Sequence, residues 1–123
     1  MNSIETTKRL RKRLIVRRGI ECISLKTEEI ALLYTENKVV YVIDHLGNKY
    51  ICDKPLFELA ATLDETVFFR ANRQYIINID FIKVFKPFEK VKLQVDISVL
   101  NNTYRVIVSQ ETAPHFKKWI YEM

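Results

Sequence analysis

Short apolar runs follow one another along the chain with few long gaps, and most suit strands better than helices. Leu14–Val16 and Glu21–Leu25 are the first two strand candidates. Ile30–Tyr34 and Val39–Ile43 flank a polar tip of hairpin type, Thr35-Glu36-Asn37-Lys38. Leu46-Gly47-Asn48 is a turn signal and Lys49–Cys52 the returning strand, so the last three strands read as a meander. The period then changes. Leu56, Leu59, Ala60 and Leu63 lie at i, i+3, i+4 and i+7, one apolar face of a short helix over residues 54–63 that covers one face or end of the sheet. Asp53 is its N-cap candidate, Pro55 sits in its first turn, and Asp64-Glu65 ends it.

The second half returns to strands. Val67–Arg70 is extended, Ala71-Asn72-Arg73-Gln74 is a polar interruption, and Tyr75–Ile79 and Phe81–Phe85 are apolar again until Pro87 breaks the chain. Lys92–Val99 alternates strictly, with Lys92, Gln94, Asp96 and Ser98 on one side and Leu93, Val95, Ile97 and Val99 on the other, as in a half-buried antiparallel strand. Asn101-Asn102 marks a tight turn, and Thr103–Val108 is the hairpin partner. Pro114, Phe116, Trp119 and Ile120 predict a final helix capped at Thr112 or Ala113, with Phe116 and Trp119 plugging the sheet. Phe68, Tyr75, Ile77, Leu93, Val106 and Trp119 are the expected core. The sum is a mainly β domain of small antiparallel sheets with two short helices.

Length and composition narrow the options. A chain of 123 residues is one domain's worth, and 48% hydrophobic content with two Gly and three Pro excludes a disordered or linker-type chain. The apolar runs are too short to span a bilayer, and no apolar segment follows the N-terminal charges as in a signal peptide. Cys22 and Cys52 form no CxxC and have no His nearby, so reduced thiols in a cytoplasm are expected and a metal site is not.

Charge is segmented. The net value is +5, yet residues 1–18 carry +6, residues 19–69 carry −5 and residues 70–118 carry +5. A polyanion is drawn to the second half and to the N-terminal arm, which otherwise reads as a solvated linker end over residues 1–13, ahead of a domain over 14–123.

Catalytic signatures are missing: no nucleophile elbow, GxGxxG or P-loop is present, and His45 and His115 lack ligand spacing. No catalytic residue, metal ligand or cofactor is expected. Residues 69–78, Phe-Arg-Ala-Asn-Arg-Gln-Tyr-Ile-Ile-Asn, instead pack two arginines, amides and an aromatic between apolar runs. Arg, Asn and Gln can bond bidentately to guanine and adenine edges. An ordinary turn, with Arg70 paired to a carboxylate and Asn78 bonding the backbone, fits the same residues.

That segment, with Ile79 and Ile82 after it, resembles the signature of the LytTR DNA-binding domain, F-x-R-x-H-R-S-(aromatic)-(aliphatic)-V-N followed by a strand. Ile30–Lys38 resembles the family's early strand and tip, Leu56–Leu63 its short helix, and Val108-Ser109-Gln110 its V-S-R element before the C-terminal helix. The resemblance spans about residues 12–121. Asn72 replaces a frequent His and Gln110 a frequent Arg, which keeps hydrogen bonding but shifts preference from guanine toward adenine. Gln74, in the usual Ser position, points the same way.

The resemblance implies sequence-specific binding of double-stranded DNA by loops in successive major grooves, as the effector domain of a bacterial two-component transcription regulator. It implies base contacts from Asn37, Asn72, Arg73 and Gln110, and phosphate contacts from Lys38, Arg70, Gln74, Lys83, Lys86 and Arg105. For Lys83, Lys86 and Arg105 a solvated sheet face is an equal alternative. Asn78 is assigned to structure, holding the turn after the signature. Further implications are a cytoplasmic location, an N-terminal receiver or sensory domain in the full regulator, paired repeat sites on DNA, and an isolated domain that is monomeric in solution. Met1 is then either an excision point or the natural start of a stand-alone regulator. The competing readings are a β-type module that binds a peptide or protein through a sheet edge, and a single-stranded RNA binder that stacks bases on aromatics.

Overall fold

A computed structural model describes residues 9–123; residues 1–8 of the expected basic arm lie outside the described part. Ten strands and two helices follow in chain order: β1 (Arg13–Arg18), β2 (Glu21–Lys26), β3 (Ile30–Glu36), β4 (Val39–Asp44), β5 (Lys49–Cys52), α1 (Leu56–Thr62), β6 (Phe68–Arg70), β7 (Tyr75–Asn78), β8 (Ile82–Phe88), β9 (Lys92–Val99), β10 (Asn102–Val108) and α2 (Ala113–Tyr121). Seven strands form one antiparallel sheet in the order β2-β1-β5-β4-β3-β7-β6, and three form a second in the order β10-β9-β8. The expected class, small antiparallel sheets with two short helices, is the one observed.

The two-residue period of the central strands builds two cores. Leu33 of β3, Val42 of β4 and Ile76 of β7 face α1, where they join Leu14, Val16, Leu56, Leu59 and Leu63. Leu32, Ile43 and Ile77 face the other way and meet Leu93, Val95 and Ile97 of β9, Val106 and Val108 of β10, and Phe116 and Trp119 of α2. The large sheet is therefore the middle layer, with α1 on one side and the small sheet plus α2 on the other. α2 plugs this second core as expected. Phe116 is fully buried and makes edge contacts with Phe69 and Phe85, and Trp119 stacks on Phe69 while its indole N–H donates to the Glu65 carbonyl at 2.9 Å.

Several local expectations are corrected. Asp53 does not cap α1; it accepts Arg17 Nε at 3.1 Å, and extended Pro55 precedes a helix that starts at Leu56. Pro87 does not end a strand but lies inside β8, the edge of the small sheet, where no N–H is needed for pairing. The β3–β4 tip is tighter than the four residues expected, because Thr35 and Glu36 stay in β3 and only Asn37 and Lys38 turn. The β9–β10 turn falls one residue earlier than expected, on Leu100 and Asn101. Gln94, expected on a polar face, is only 5% exposed, between its cross-strand neighbours Lys86 and Ile107. Among the described residues, no helix is long and apolar enough to cross a membrane.

Candidate nucleic-acid interface

Strand register decides which loops meet. Tyr34 pairs with Tyr75 across β3 and β7, and Arg70 pairs with Ile76 across β6 and β7. The β3–β4 tip and the β6–β7 loop, residues 71–74, therefore leave the large sheet at the same end. Thr35 N–H donates to the Gln74 carbonyl at 2.9 Å and ties the two together.

At the tip, Asn37 and Lys38 have φ of 52° and 66°, the paired left-handed geometry of a two-residue hairpin turn. Asn suits this; Lys does not, and a left-handed lysine in place of glycine costs about 1 kcal/mol. Lys38 is thus exposed at the apex in a backbone conformation that costs energy. Lys38 lines a depression shared with Arg17, Asp53 and Lys54, apart from the concavity at the neighbouring loop.

The 71–74 loop is tied down by burial and by hydrogen bonds at both ends. Ala71 is fully buried and anchors it. The Asn72 side-chain oxygen accepts the N–H groups of Gln74 at 2.7 Å and Tyr75 at 3.0 Å, closing an Asx turn. Its amide nitrogen donates to the Ile107 carbonyl of β10 at 2.7 Å. Arg70 reaches over the loop, with Nε 3.3 Å from the Asn72 carbonyl and Nη2 2.9 Å from the Arg73 carbonyl. Arg73 and Gln74 are exposed at its crest.

One residue beyond β10, Ser109 organises the start of α2. Its carbonyl accepts the N–H of Ala113 at 2.8 Å and its hydroxyl donates to Thr112 Oγ1 at 3.1 Å. Gln110 and Glu111 lie at the exposed turn so formed. The two loops share a shallow concavity of ≈ 790 Å³ lined by Arg70, Asn72, Arg73, Gln110 and Lys92, among others.

The structure thus brings Arg70, Asn72, Arg73 and Gln110 together, with Asn37, Lys38 and Gln74 at the same end of the large sheet. Lys83, Lys86 and Arg105 are on the small sheet and do not line that concavity; Lys86 and Arg105 share the outward face of β8–β10 through their pairing to Gln94 and Asp96, and Arg105 Nε lies 3.9 Å from an Asp96 oxygen. Asn78 is fully buried. Its amide donates to the Ile30 carbonyl at 2.8 Å and its oxygen accepts Asp80 N–H at 2.9 Å, the structural part expected of it.

Sequence reasoning missed two cations here. Lys92 joins the concavity while 3.1 Å from Glu89. Lys49 lies over the Tyr41 ring at 4.2 Å and near the Tyr34 ring at 5.7 Å, a cation–π arrangement. The neighbouring Tyr34 hydroxyl holds its ammonium above the ordinary lysine value. Tyr34 also stacks on Tyr75 at 5.4 Å, so a half-buried tyrosine row borders the loop end. Only the cross-strand register reveals this row, since each tyrosine falls in an apolar run. Among the described residues, no group of three His, Cys, Asp or Glu could hold a metal ion, and both histidines are exposed.

Comparison with known proteins places these features in a wider set. The family model described as LytTr DNA-binding domain matches residues 20–121. Among solved structures, the chain is similar to the LytTr DNA-binding domain of a Bacillus cereus protein described as a methyl-accepting/DNA response regulator. The TM-score is 0.79 and the identity 23%, over 89% of this chain and 97% of that one. A comparison with curated proteins finds no match.

Proposed function

Because this chain belongs to the LytTR DNA-binding domain family, we propose that it reads double-stranded DNA with its loops and serves as the output domain of a bacterial transcription regulator. The observation that carries this reading is the convergence of Arg73 and Gln110 on one concavity, beside a hairpin tip that presents Asn37 and Lys38. Both helices spend their apolar faces on the cores, α1 through Leu56 and Leu59 and α2 through Phe116 and Trp119, and the amides and guanidinium able to read base edges stand on the loops. Arg73 offers a planar fork to guanine, and Gln110 and Asn37 offer amides to adenine. Lys38 and Gln74, at the same end, fix the register through phosphates, and Lys83, Lys86 and Arg105 add sequence-independent attraction along the small sheet. Loops pre-ordered on a stiff sheet lose little entropy on binding.

In the full regulator the basic segment 1–13 leads in from a receiver or sensory domain, the protein acts in the cytoplasm, and two isolated monomers pair on repeat sites. The test is selection of bound duplexes from a random pool, followed by Arg73→Ala. A defined motif is expected, with a loss of about 1–3 kcal/mol on that motif alone. Equal weakening on every duplex reduces Arg73 to a phosphate contact. A sheet-edge peptide module instead predicts no motif and an affinity nearly indifferent to salt.

A further inference from the structure

We infer that Asn72 and Arg70 are positioning residues that lock the Arg73 loop and the Gln110 turn into one rigid reading unit, rather than contacts to the duplex. This rests on the DNA-reading function proposed above and concerns which side chains do the reading.

Asn72 has almost no hydrogen-bonding capacity left for a base. A side-chain carbonyl has two lone pairs, and both are taken by the N–H groups of Gln74 and Tyr75. One amide hydrogen is taken by the Ile107 carbonyl. Bidentate recognition of adenine needs one donor and one free acceptor, and the acceptor is spent. The bond to Ile107 has a second consequence. Ile107 is three residues before Gln110 on the same strand exit, so the amide links the loop carrying Arg73 to the turn carrying Gln110.

Arg70 acts from the other side. Its planar fork spans two successive carbonyls, those of Asn72 and Arg73, which aims the Arg73 backbone. Lysine is a point charge without that fork. A phosphate contact therefore tolerates Arg70→Lys, whereas a brace does not.

The experiment uses the whole chain, the duplex selected by the wild type and a random-sequence duplex. Asn72→Ser keeps a neutral side chain whose hydroxyl supports the turn only weakly, and it lacks the amide that reaches Ile107. Asn72→Ser and Arg70→Lys are each expected to lose roughly tenfold in affinity on the selected duplex, about 1.4 kcal/mol, and nothing on the random one, with the salt slope unchanged. Hydrogen exchange in the free protein should show faster amides at Gln74 and Tyr75, with the core strands as protected as in the wild type. Arg73→Ala and Gln110→Ala should be non-additive in the wild type and additive in the Asn72→Ser background.

Full retention of affinity by Arg70→Lys, together with a salt slope shallower by about 0.9 in Arg70→Gln, overturns the inference for Arg70. A changed base preference at a single position in Asn72→Ser, with amide protection and non-additivity intact, overturns it for Asn72. If the wild type selects no motif, the DNA reading itself fails and the inference goes with it.

Discussion

Asn78 offers the sharpest test of how the signature segment divides between folding and binding. Asn78→Ala removes a donor and an acceptor at a fully buried position and strands the Ile30 carbonyl and the Asp80 N–H. Two lost hydrogen bonds, with the buried Ile30 carbonyl left unmet and the Asp80 N–H open to water, cost about 2–4 kcal/mol. For a domain of this size the melting temperature should drop by roughly 8–16 °C. Asn78→Asp keeps the acceptor for Asp80 but turns a carboxylate oxygen toward the Ile30 carbonyl. It should cost at least as much at neutral pH and recover partly in acid, where the protonated carboxyl can donate. Thermal and urea denaturation followed by circular dichroism measure both. Below the melting transition, folded Asn78→Ala should bind DNA as the wild type does. A stability loss under about 0.5 kcal/mol, or a loss of DNA affinity with stability intact, refutes the structural assignment.

Asp44 is only 4% exposed and accepts Leu46 N–H at 3.0 Å, Asn48 N–H at 2.9 Å and the Tyr50 hydroxyl at 2.9 Å. Burial pushes its carboxyl up, but the bonds from Asn48, Tyr50 and Leu46 outweigh this and hold it below the ordinary carboxylate value. Its stabilisation is thus complete above roughly pH 4, the unfolded value, and lost as pH falls through the lower folded one; Asp44→Asn should flatten that part of an acid-denaturation profile, and an unchanged profile contradicts the assignment. Gln110→Arg should shift one motif position toward guanine by about 1–3 kcal/mol in competition binding, whereas a gain equal on all sequences makes position 110 a phosphate contact. Cys22 is exposed, while Cys52 is buried, with burial the main cause of a thiol pushed up. A thiol reagent should modify Cys22 in the native domain and Cys52 only after denaturation; equal rates contradict the core as described.

What was legible in the sequence follows from what each signal encodes. The bounds of Lys92–Val99 are legible because alternation of apolar and polar residues writes a strand's period directly into the sequence, although Gln94 on the polar side is buried as well. The position of β5 between β1 and β4 was not legible, since strand order depends on long-range pairing that no local pattern carries. Asp53 has the chemistry of an N-cap, but the helix starts at Leu56, leaving Asp53 two residues ahead of the cap position and paired with Arg17. At the interface, residue type placed Arg73 and Gln110 among the candidates, and only folding brought them together. Asn72 could not be resolved from its type, because one amide serves an Asx turn or an adenine edge equally well. Lys49 and Lys92 carried no signal at all: their places depend on register and on a loop 18 residues away from Lys92 in sequence, at Gln110.

On the function proposed, one end of the β framework carries the loops that read DNA. Titration of the isotopically labelled domain with its selected duplex, followed by amide chemical shifts, tests it most directly. The largest changes are predicted at residues 36–38, 71–75 and 109–112, with β2 and the exposed side of α1 unmoved. Shifts concentrated on β2 or α1, with those three segments silent, would contradict it.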